Sequence, residues 1–221
     1  MRKQRKHKRR GGFVYVPIGM AILVVLLWTG VGRDFTNSAY AAVSMMFQSG
    51  EPGFAQSYEE NDASNLPQKG EIAEDSIDYP GLNAKFAKLI CKEIGLRTWV
   101  YYGDTDEVLE KGAGLYTGSS IFGQGRTILV SAHDSTYFAP LEKIKSGAKI
   151  TALTDYGKFI YQVTETKVVK ETETEATKLD GKEEQLVLYT CYPFQSQQKR
   201  EQRFFVYAKK ISGPTLKEVA R

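Results

Sequence analysis

Cysteine and histidine are scarce in this chain of 221 residues, which holds two of each. The cysteines are Cys91 and Cys191, and the histidines are His7 and His133. Two cysteines allow at most one disulfide bridge, so a fold held together by a disulfide framework is excluded. No internal repeat is visible either. Any chemistry that needs both a thiol and an imidazole therefore depends on very few residues.

Excess positive charge is also missing from most of the chain. The net charge is +4, but seven lysines and arginines lie among the first ten residues, and the remainder is slightly acidic. We therefore expect no extended basic surface and predict no nucleic-acid partner. The basic run is instead typical of a cytoplasmic segment that lies next to a membrane with anionic head groups.

Residues 13–31 form a long apolar stretch without a charge. About 20 such residues can cross roughly 30 Å of hydrocarbon as a helix. We predict a cytoplasmic tail at residues 1–12 and a transmembrane anchor at residues 13–32. The protein would then be a single-pass protein of the cell membrane with its C-terminal part outside. Ala39-Tyr40-Ala41 fits a cleavage site, so removal of the segment is the alternative, but the apolar core is longer than is usual for a signal peptide.

The composition changes at about residue 80. Residues 33–79 are rich in polar, acidic and small residues without a sustained period, which predicts an extracellular stalk or linker. The alternative is that part of this stretch packs on the folded domain as a short helix. Residues 80–221 are predicted to form the single catalytic domain.

Short β-rich runs alternate with turn residues from residue 80 onward, which is typical of an all-β barrel or sandwich. The turn Asp155-Tyr156-Gly157 predicts a hairpin, and short helices are predicted at residues 105–111 and 139–146. We predict strands at residues 87–91, 98–102, 127–131, 149–153, 159–163, 167–170, 186–190 and 204–208.

His133 and Cys191 each stand at the end of an apolar strand. His7 would lie on the other side of the membrane, so only His133 could meet a thiol outside the cell. If both strands leave the same end of a sheet, the two side chains come together, and Arg203 would enter from the final strand, with Arg200 as the alternative cation. A thiolate, an imidazole and a fixed cation suit acyl transfer through a covalent intermediate. Cys91 is interpreted as a buried core residue, and a Cys91–Cys191 bridge, which would silence the nucleophile, is the less favoured alternative.

The order and surroundings of these residues resemble the sortase family, the cysteine transpeptidases of Gram-positive cell surfaces. His precedes Cys and Cys precedes Arg, with gaps of the size found in that family, and Thr190-Cys191-Tyr192-Pro193-Phe194 looks most like class D, with classes B and C as weaker matches. Two positions depart from the family pattern, namely Ala132 in place of a common Gly and Val187 in place of a common Thr, and neither removes a reacting group. Other similar segments are Ile94-Gly95-Leu96, Tyr102-Gly103-Asp104, Gly112-Ala113-Gly114, Ser131-Ala132-His133 and Arg203-Phe204-Phe205-Val206.

The resemblance implies an eight-stranded β-barrel behind an N-terminal transmembrane helix, with His133, Cys191 and Arg203 as catalytic residues. Such an enzyme cleaves a sorting signal of the Leu-Pro-x-Thr-Gly type between Thr and Gly and forms a thioester to Cys191. An amine of a peptidoglycan precursor or a pilin subunit then takes the acyl group. The implied partners are surface proteins with C-terminal sorting signals, the amine acceptor and the membrane.

Glu171, Glu173 and Glu175 alternate in a charged connection, where they could bind a calcium ion. We favour a solvated loop and expect no cofactor. Two other functions are the alternatives. A thiol-dependent cell-wall hydrolase or an L,D-transpeptidase is disfavoured by the order and spacing of His133 and Cys191. A non-catalytic tethered β-domain would have an inert thiol at Cys191.

Overall fold

The computed structural model describes Met20, residues 65–196 and residues 200–218. Apart from Met20, these residues lie within one unit, Ala41–Arg221. No helix in this described part of the chain is long and apolar enough to span a bilayer. Apart from Met20, the predicted anchor at residues 13–32 lies outside the described residues, as does the predicted tail at residues 1–12.

Strands dominate the described part of the chain. They are β1 (Glu71–Ala73), β2 (Lys85–Cys91), β3 (Leu96–Tyr102), β4 (Ala113–Leu115), β5 (Thr127–Ser131), β6 (Lys149–Leu153), β7 (Lys158–Lys170), β8 (Gln185–Tyr192), β9 (Gln202–Ser212) and β10 (Thr215–Lys217). Eight of them close into a barrel in the order β2-β3-β4-β5-β8-β9-β7-β6. The complete helices in this part of the chain are one α-helical turn, α1 (Asp106–Leu109), and 3₁₀ turns at Glu74–Ser76, Lys92–Ile94, Ala139–Lys143 and Thr174–Thr177. The prediction of an eight-stranded all-β barrel with short helices is confirmed.

Two of the differences from the sequence-based expectation concern β7 and the second short helix. The strands predicted at residues 159–163 and 167–170 form one continuous strand, β7, which pairs with β9 along most of its length through irregularities near Ile160 and Val163. The helix predicted at residues 139–146 is a shorter 3₁₀ turn, because Ile144 already has extended backbone angles. The hairpin predicted at residues 155–157 does connect β6 to β7.

Alternation along β8 separates two apolar clusters. Leu186 and Leu188 belong to the large core inside the barrel, whereas Val187 belongs to a smaller cluster on the opposite face of the sheet. Successive side chains of a strand point to opposite faces, so the odd-numbered residues of β8 lie outside the barrel. The outer cluster consists of Leu129, Val169, Val187, Phe205 and Tyr207, with Ala176 and Tyr189 packed against it.

Residues before β2 are hydrogen-bonded to the barrel. The carbonyl of Pro67 accepts from the N–H of Lys158 at 2.9 Å, and the carbonyl of Gln68 accepts from the N–H of Gly213 at 2.9 Å. The short strand β1 then pairs in parallel with β10. This segment lies within the stretch predicted as a stalk, so ordered contacts with the domain begin before Pro80.

A buried carboxylate, Glu184, fixes the start of β8. Its side chain is 7% exposed and forms an ion pair with Lys210 at 2.9 Å. It also accepts from the Tyr161 hydroxyl at 2.7 Å and from the backbone N–H of Gly123 and Gly125, each at 3.2 Å. Burial, with Glu184 beside it, raises the pKa of Tyr161 well above its usual range. Glu184 therefore anchors the end of β8 that is remote from Cys191.

Candidate functional site

Cys191 lies near the C-terminal end of β8, on the outer face of the barrel. It follows Val187 and Tyr189 at alternate positions, and those two side chains belong to the outer cluster. The thiol is free and half-buried. The strand ends one residue later at Tyr192, so the thiol lies where the sheet gives way to the following loop. This agrees with the predicted position at a strand exit.

His133 leaves the barrel at the same end. Strands β5 and β8 are parallel neighbours, and their register pairs Ser131 with Tyr189. Continuing that register by two residues brings His133 level with Cys191. The Thr190 hydroxyl donates to the carbonyl of Ala132 at 2.6 Å and joins the two chain segments just before these residues. His133 is exposed, so its imidazole is accessible to solvent.

Arg203 lies directly opposite Cys191 in the antiparallel pairing of β8 with β9. Opposite residues of an antiparallel pair share one face of the sheet. Its guanidinium donates to the carbonyls of Arg200 and Gln202 at 2.9 and 3.0 Å and pairs with the Glu171 carboxylate at 2.8 Å. These contacts hold the guanidinium toward the segment that follows β7.

Arg200, the alternative cation, has a different partner. It forms an ion pair with Asp134, whose side chain is only 2% exposed. The structure therefore brings Arg203 onto the strand position opposite Cys191 and directs Arg200 toward the turn that follows His133. The ion pairs of Asp134 and Glu171 were not predicted from the sequence. Glu171 was considered only as part of a solvated loop or as a possible calcium ligand.

Stacked aromatic rings lie on the outer face of β8 and β9, the strands that carry Cys191 and Arg203. The rings of Tyr189 and Phe205 stack at 5.4 Å, and those of Phe205 and Tyr207 at 6.0 Å. Burial is the main cause that raises the pKa of Tyr189, while a hydrogen bond with Ser131 and the charge of Arg203 act in the opposite direction. Tyr189 therefore remains a neutral phenol. Phe205 and Tyr207 are buried, whereas Tyr189 is only partly buried.

A cleft of about 570 Å³ opens beside the end of β8. It is lined by Lys170, Glu171, Thr172, Tyr192, Pro193, Glu201 and Gln202. Two of these residues directly follow Cys191 in the chain, and Gln202 directly precedes Arg203. A second cleft of about 420 Å³ lies on the other side of the segment after β7 and includes Glu165, Glu173, Glu175, Lys178 and Tyr207.

The alternating glutamates do not converge on one point. Glu171 pairs with Arg203, and Glu173 accepts from the backbone N–H of Lys170 at 3.3 Å. Within residues 65–196 and 200–218, no three His, Cys, Asp or Glu side chains come together as a group that could hold a metal ion.

Comparison with known proteins shows to which family this chain belongs. A family model described as the sortase domain matches residues 89–211. The chain belongs to the sortase family, whose members are cysteine transpeptidases. It is 29% identical to sortase D of Bacillus subtilis (strain 168) over 152 residues, which cover 69% of this chain and 70% of that protein. This match supports the assignment to class D.

Solved structures show the same fold. A sortase D5 transpeptidase from Clostridium perfringens superposes with a TM-score of 0.55 at 20% identity, over 72% of this chain and 93% of that one. Sortase C1 of Streptococcus agalactiae gives a TM-score of 0.53 at 26% identity, over 57% of this chain and 67% of that one.

Proposed function

We propose that this transpeptidase acts on a sorting signal of the Leu-Pro-x-Thr-Gly type and cleaves it between Thr and Gly. Cys191 is the nucleophile, His133 the general acid and base, and Arg203 the cation that stabilises the oxyanion. The observation that carries these roles is the strand register, because Arg203 lies opposite Cys191 on β9 and the exit of β5 is level with Cys191.

The proposed reaction has two halves. The Cys191 thiolate attacks the Thr carbonyl carbon, and the negative charge that develops on the carbonyl oxygen is stabilised by the Arg203 guanidinium. The C–N bond then breaks, the His133 imidazolium gives its proton to the leaving Gly amine, and a thioester to Cys191 remains. An incoming amine attacks the thioester, His133 accepts a proton from it, and the thiolate leaves with the new amide complete.

An amine can outcompete water because the thioester stays reactive until a nucleophile reaches it, and a positioned amine gains from proximity. We propose that the natural amine belongs to a peptidoglycan precursor or a pilin subunit, and that the signal is carried by surface proteins.

The direct test uses residues 65–221 with a panel of Leu-Pro-x-Thr-Gly peptides and an added amine. We expect mass spectrometry to find the peptide joined at Thr to the amine, and a covalent acyl adduct on Cys191. A panel that gives neither product would overturn the proposal. Hydrolysed peptide with no amine adduct would instead favour a thiol-dependent hydrolase.

We further propose that residues 13–32 anchor the chain in the membrane with the N-terminus in the cytoplasm. The support is the uncharged apolar stretch behind seven basic residues. Mass measurement of the mature protein tests this proposal, because a chain that begins at Ala42 would have lost the anchor by cleavage.

A further inference from the structure

Asp134, the residue after His133, is a buried carboxylate in a part of the site that acyl transfer does not use directly. Its side chain is 2% exposed. Burying a charged carboxylate is costly unless ion pairs and hydrogen bonds satisfy it. Among the described residues, its partners are Gln195 and Arg200, which follow Cys191 in the chain. The backbone N–H of Gln195 donates to Oδ2 at 2.6 Å, and Nη1 of Arg200 donates to Oδ1.

These contacts lie just beyond the point where the sheet stops holding the two strands together. The ladder between β5 and β8 ends at Ser131 and Tyr189, before His133 and Cys191. The Thr190–Ala132 hydrogen bond connects the two segments immediately before these residues. Asp134 connects them again immediately after. His133 and Cys191 therefore lie between two cross-connections, and only the second involves a charge.

The same segment also reaches Arg203. The carbonyl of Arg200 accepts from Nη1 of Arg203 at 2.9 Å. Arg200 thus binds Asp134 through its side chain and Arg203 through its backbone. A displacement of Arg200 would change the surroundings of the guanidinium that lies opposite Cys191. One carboxylate is in this way connected to all three residues of the proposed site.

We propose that Asp134 is a positioning residue, which acts through Gln195 and Arg200 to hold His133, Cys191 and Arg203 in their working arrangement. It touches none of the reacting atoms. The proposal rests on the proposed function for its kinetic consequences, but its structural basis is independent of the substrate. Since misplacement by about 1 Å can cost about 10²-fold in rate, loss of the connection should lower kcat more than it raises KM.

The first experiment compares Asp134→Asn with Glu184→Gln in ligation of a Leu-Pro-x-Thr-Gly peptide to an amine. Both changes remove a buried charge from an ion pair, but Glu184 lies at the opposite end of β8. We expect Asp134→Asn to lower kcat about 10- to 100-fold with KM changed less than about threefold. Glu184→Gln should lose thermal stability and keep kcat within about twofold. Equal losses of kcat in the two variants would overturn the proposal.

Arg200 supplies a second pair of variants, which decides the matter if Asp134→Asn does not fold. Arg200→Lys keeps the cation, and Arg200→Gln removes it. We expect kcat to fall more in Arg200→Gln than in Arg200→Lys. We also expect Asp134→Asn combined with Arg200→Gln to be no slower than the slower single variant, because both interrupt one connection. Unchanged kcat in Arg200→Gln, or additive losses, would contradict the proposal.

A measurement without substrate separates this proposal from the proposed function. The rate at which iodoacetamide alkylates Cys191 at pH 7 depends on the neighbouring imidazole. We expect Asp134→Asn to lower this rate toward that of His133→Ala, while Glu184→Gln leaves it unchanged. If the wild-type chain ligates no peptide but the alkylation rates follow this order, the proposed substrate is wrong and the positioning role stands. If Asp134→Asn alkylates like the wild-type chain, the positioning role is wrong.

Discussion

The two cysteines occupy similar places along their strands and have opposite surroundings. Cys91 is the last residue of β2 and pairs with Leu96 across the sheet. Cys191 is the next-to-last residue of β8 and pairs with Arg203. Cys91 is 0% exposed within the barrel core, whereas Cys191 is half-buried on the outer face. A strand end therefore does not by itself make a thiol available for chemistry.

The face of the strand makes the difference. Cys91 is separated by two and four residues from Leu89 and Ala87, which are core residues. Its side chain therefore points inward. Cys191 is separated by an odd number of residues from Leu186 and Leu188, which point inward, so its side chain points outward. Burial, together with the nearby Glu93 carboxylate, raises the pKa of the Cys91 thiol to about 11. That thiol remains protonated, donates to Glu93 at 3.5 Å, and acts as an ordinary core residue.

Removing each thiol should separate the two sites most clearly. Cys191→Ala should abolish ligation, by about 10⁴-fold or more, because no other nucleophile lies opposite Arg203 to form the thioester. Cys91→Ala should keep the rate within about twofold. Peptide ligation measured by mass spectrometry, with circular dichroism to show that both variants fold, checks this expectation. Retained ligation in Cys191→Ala would remove Cys191 from the mechanism.

Thiol reactivity compares the two sites in the wild-type chain. At pH 8 a thiol with a pKa of about 11 is ionised in only about one molecule in 10³, and Cys91 is also shielded by the core. We expect iodoacetamide to label Cys191 at least about 10³-fold faster than Cys91, as read by mass spectrometry of the two peptides. Equal labelling of the folded protein would show that the barrel opens around β2.

The contrast between the cysteines was only partly visible in the sequence. The run of residues 186–190 is apolar or uncharged at every position, since both faces of β8 are covered. The period of two that would assign Cys191 to one face is therefore absent. The position at a strand exit could be predicted because Tyr192-Pro193 interrupts the run. Arg203 was expected to enter from the final strand, and the register of β8 and β9 pairs it with Cys191.

Strand predictions succeeded where the apolar run was isolated by turns, and residues 127–131 and 149–153 match β5 and β6. The three-residue strands β1, β4 and β10 were missed because each is too short to show a period and depends on its partner strand. Polar residues 164–166 split the apolar pattern of β7, although backbone pairing with β9 continues through them. The Asp134–Arg200 ion pair joins residues that are far apart in the chain, so no local pattern signals it.

Arg203 is the feature that the Cys91 site lacks, and its removal should have the next largest effect. Arg203→Ala should lower the ligation rate by about 10²-fold or more, as expected for loss of a donor to the oxyanion. Arg203→Lys should restore only part of the rate, because a point charge does not reproduce the guanidinium fork. The exposed Arg126 provides a control, and Arg126→Ala should leave the rate unchanged. Full activity in Arg203→Lys would show that charge alone suffices.

The smallest expected effect is on stability. Here the substitution of Cys91 should matter more than the substitution of Cys191. Cys91→Ala should lower the free energy of unfolding by about 1 kcal/mol through lost core packing, and Cys191→Ala by less than about 0.5 kcal/mol. The pKa of Cys91 is raised in the fold above its ordinary value of 9.0, so folding favours the protonated thiol. The protonated thiol makes its full contribution to the free energy of unfolding below pH 9. That contribution declines as the pH rises toward 11. Urea unfolding of the wild-type chain and Cys91→Ala at pH 7 and pH 10 should therefore give a smaller difference at pH 10. A difference that grows with pH would mean that the buried thiol is stabilised as the anion, and that the two cysteines are more alike than their surroundings indicate.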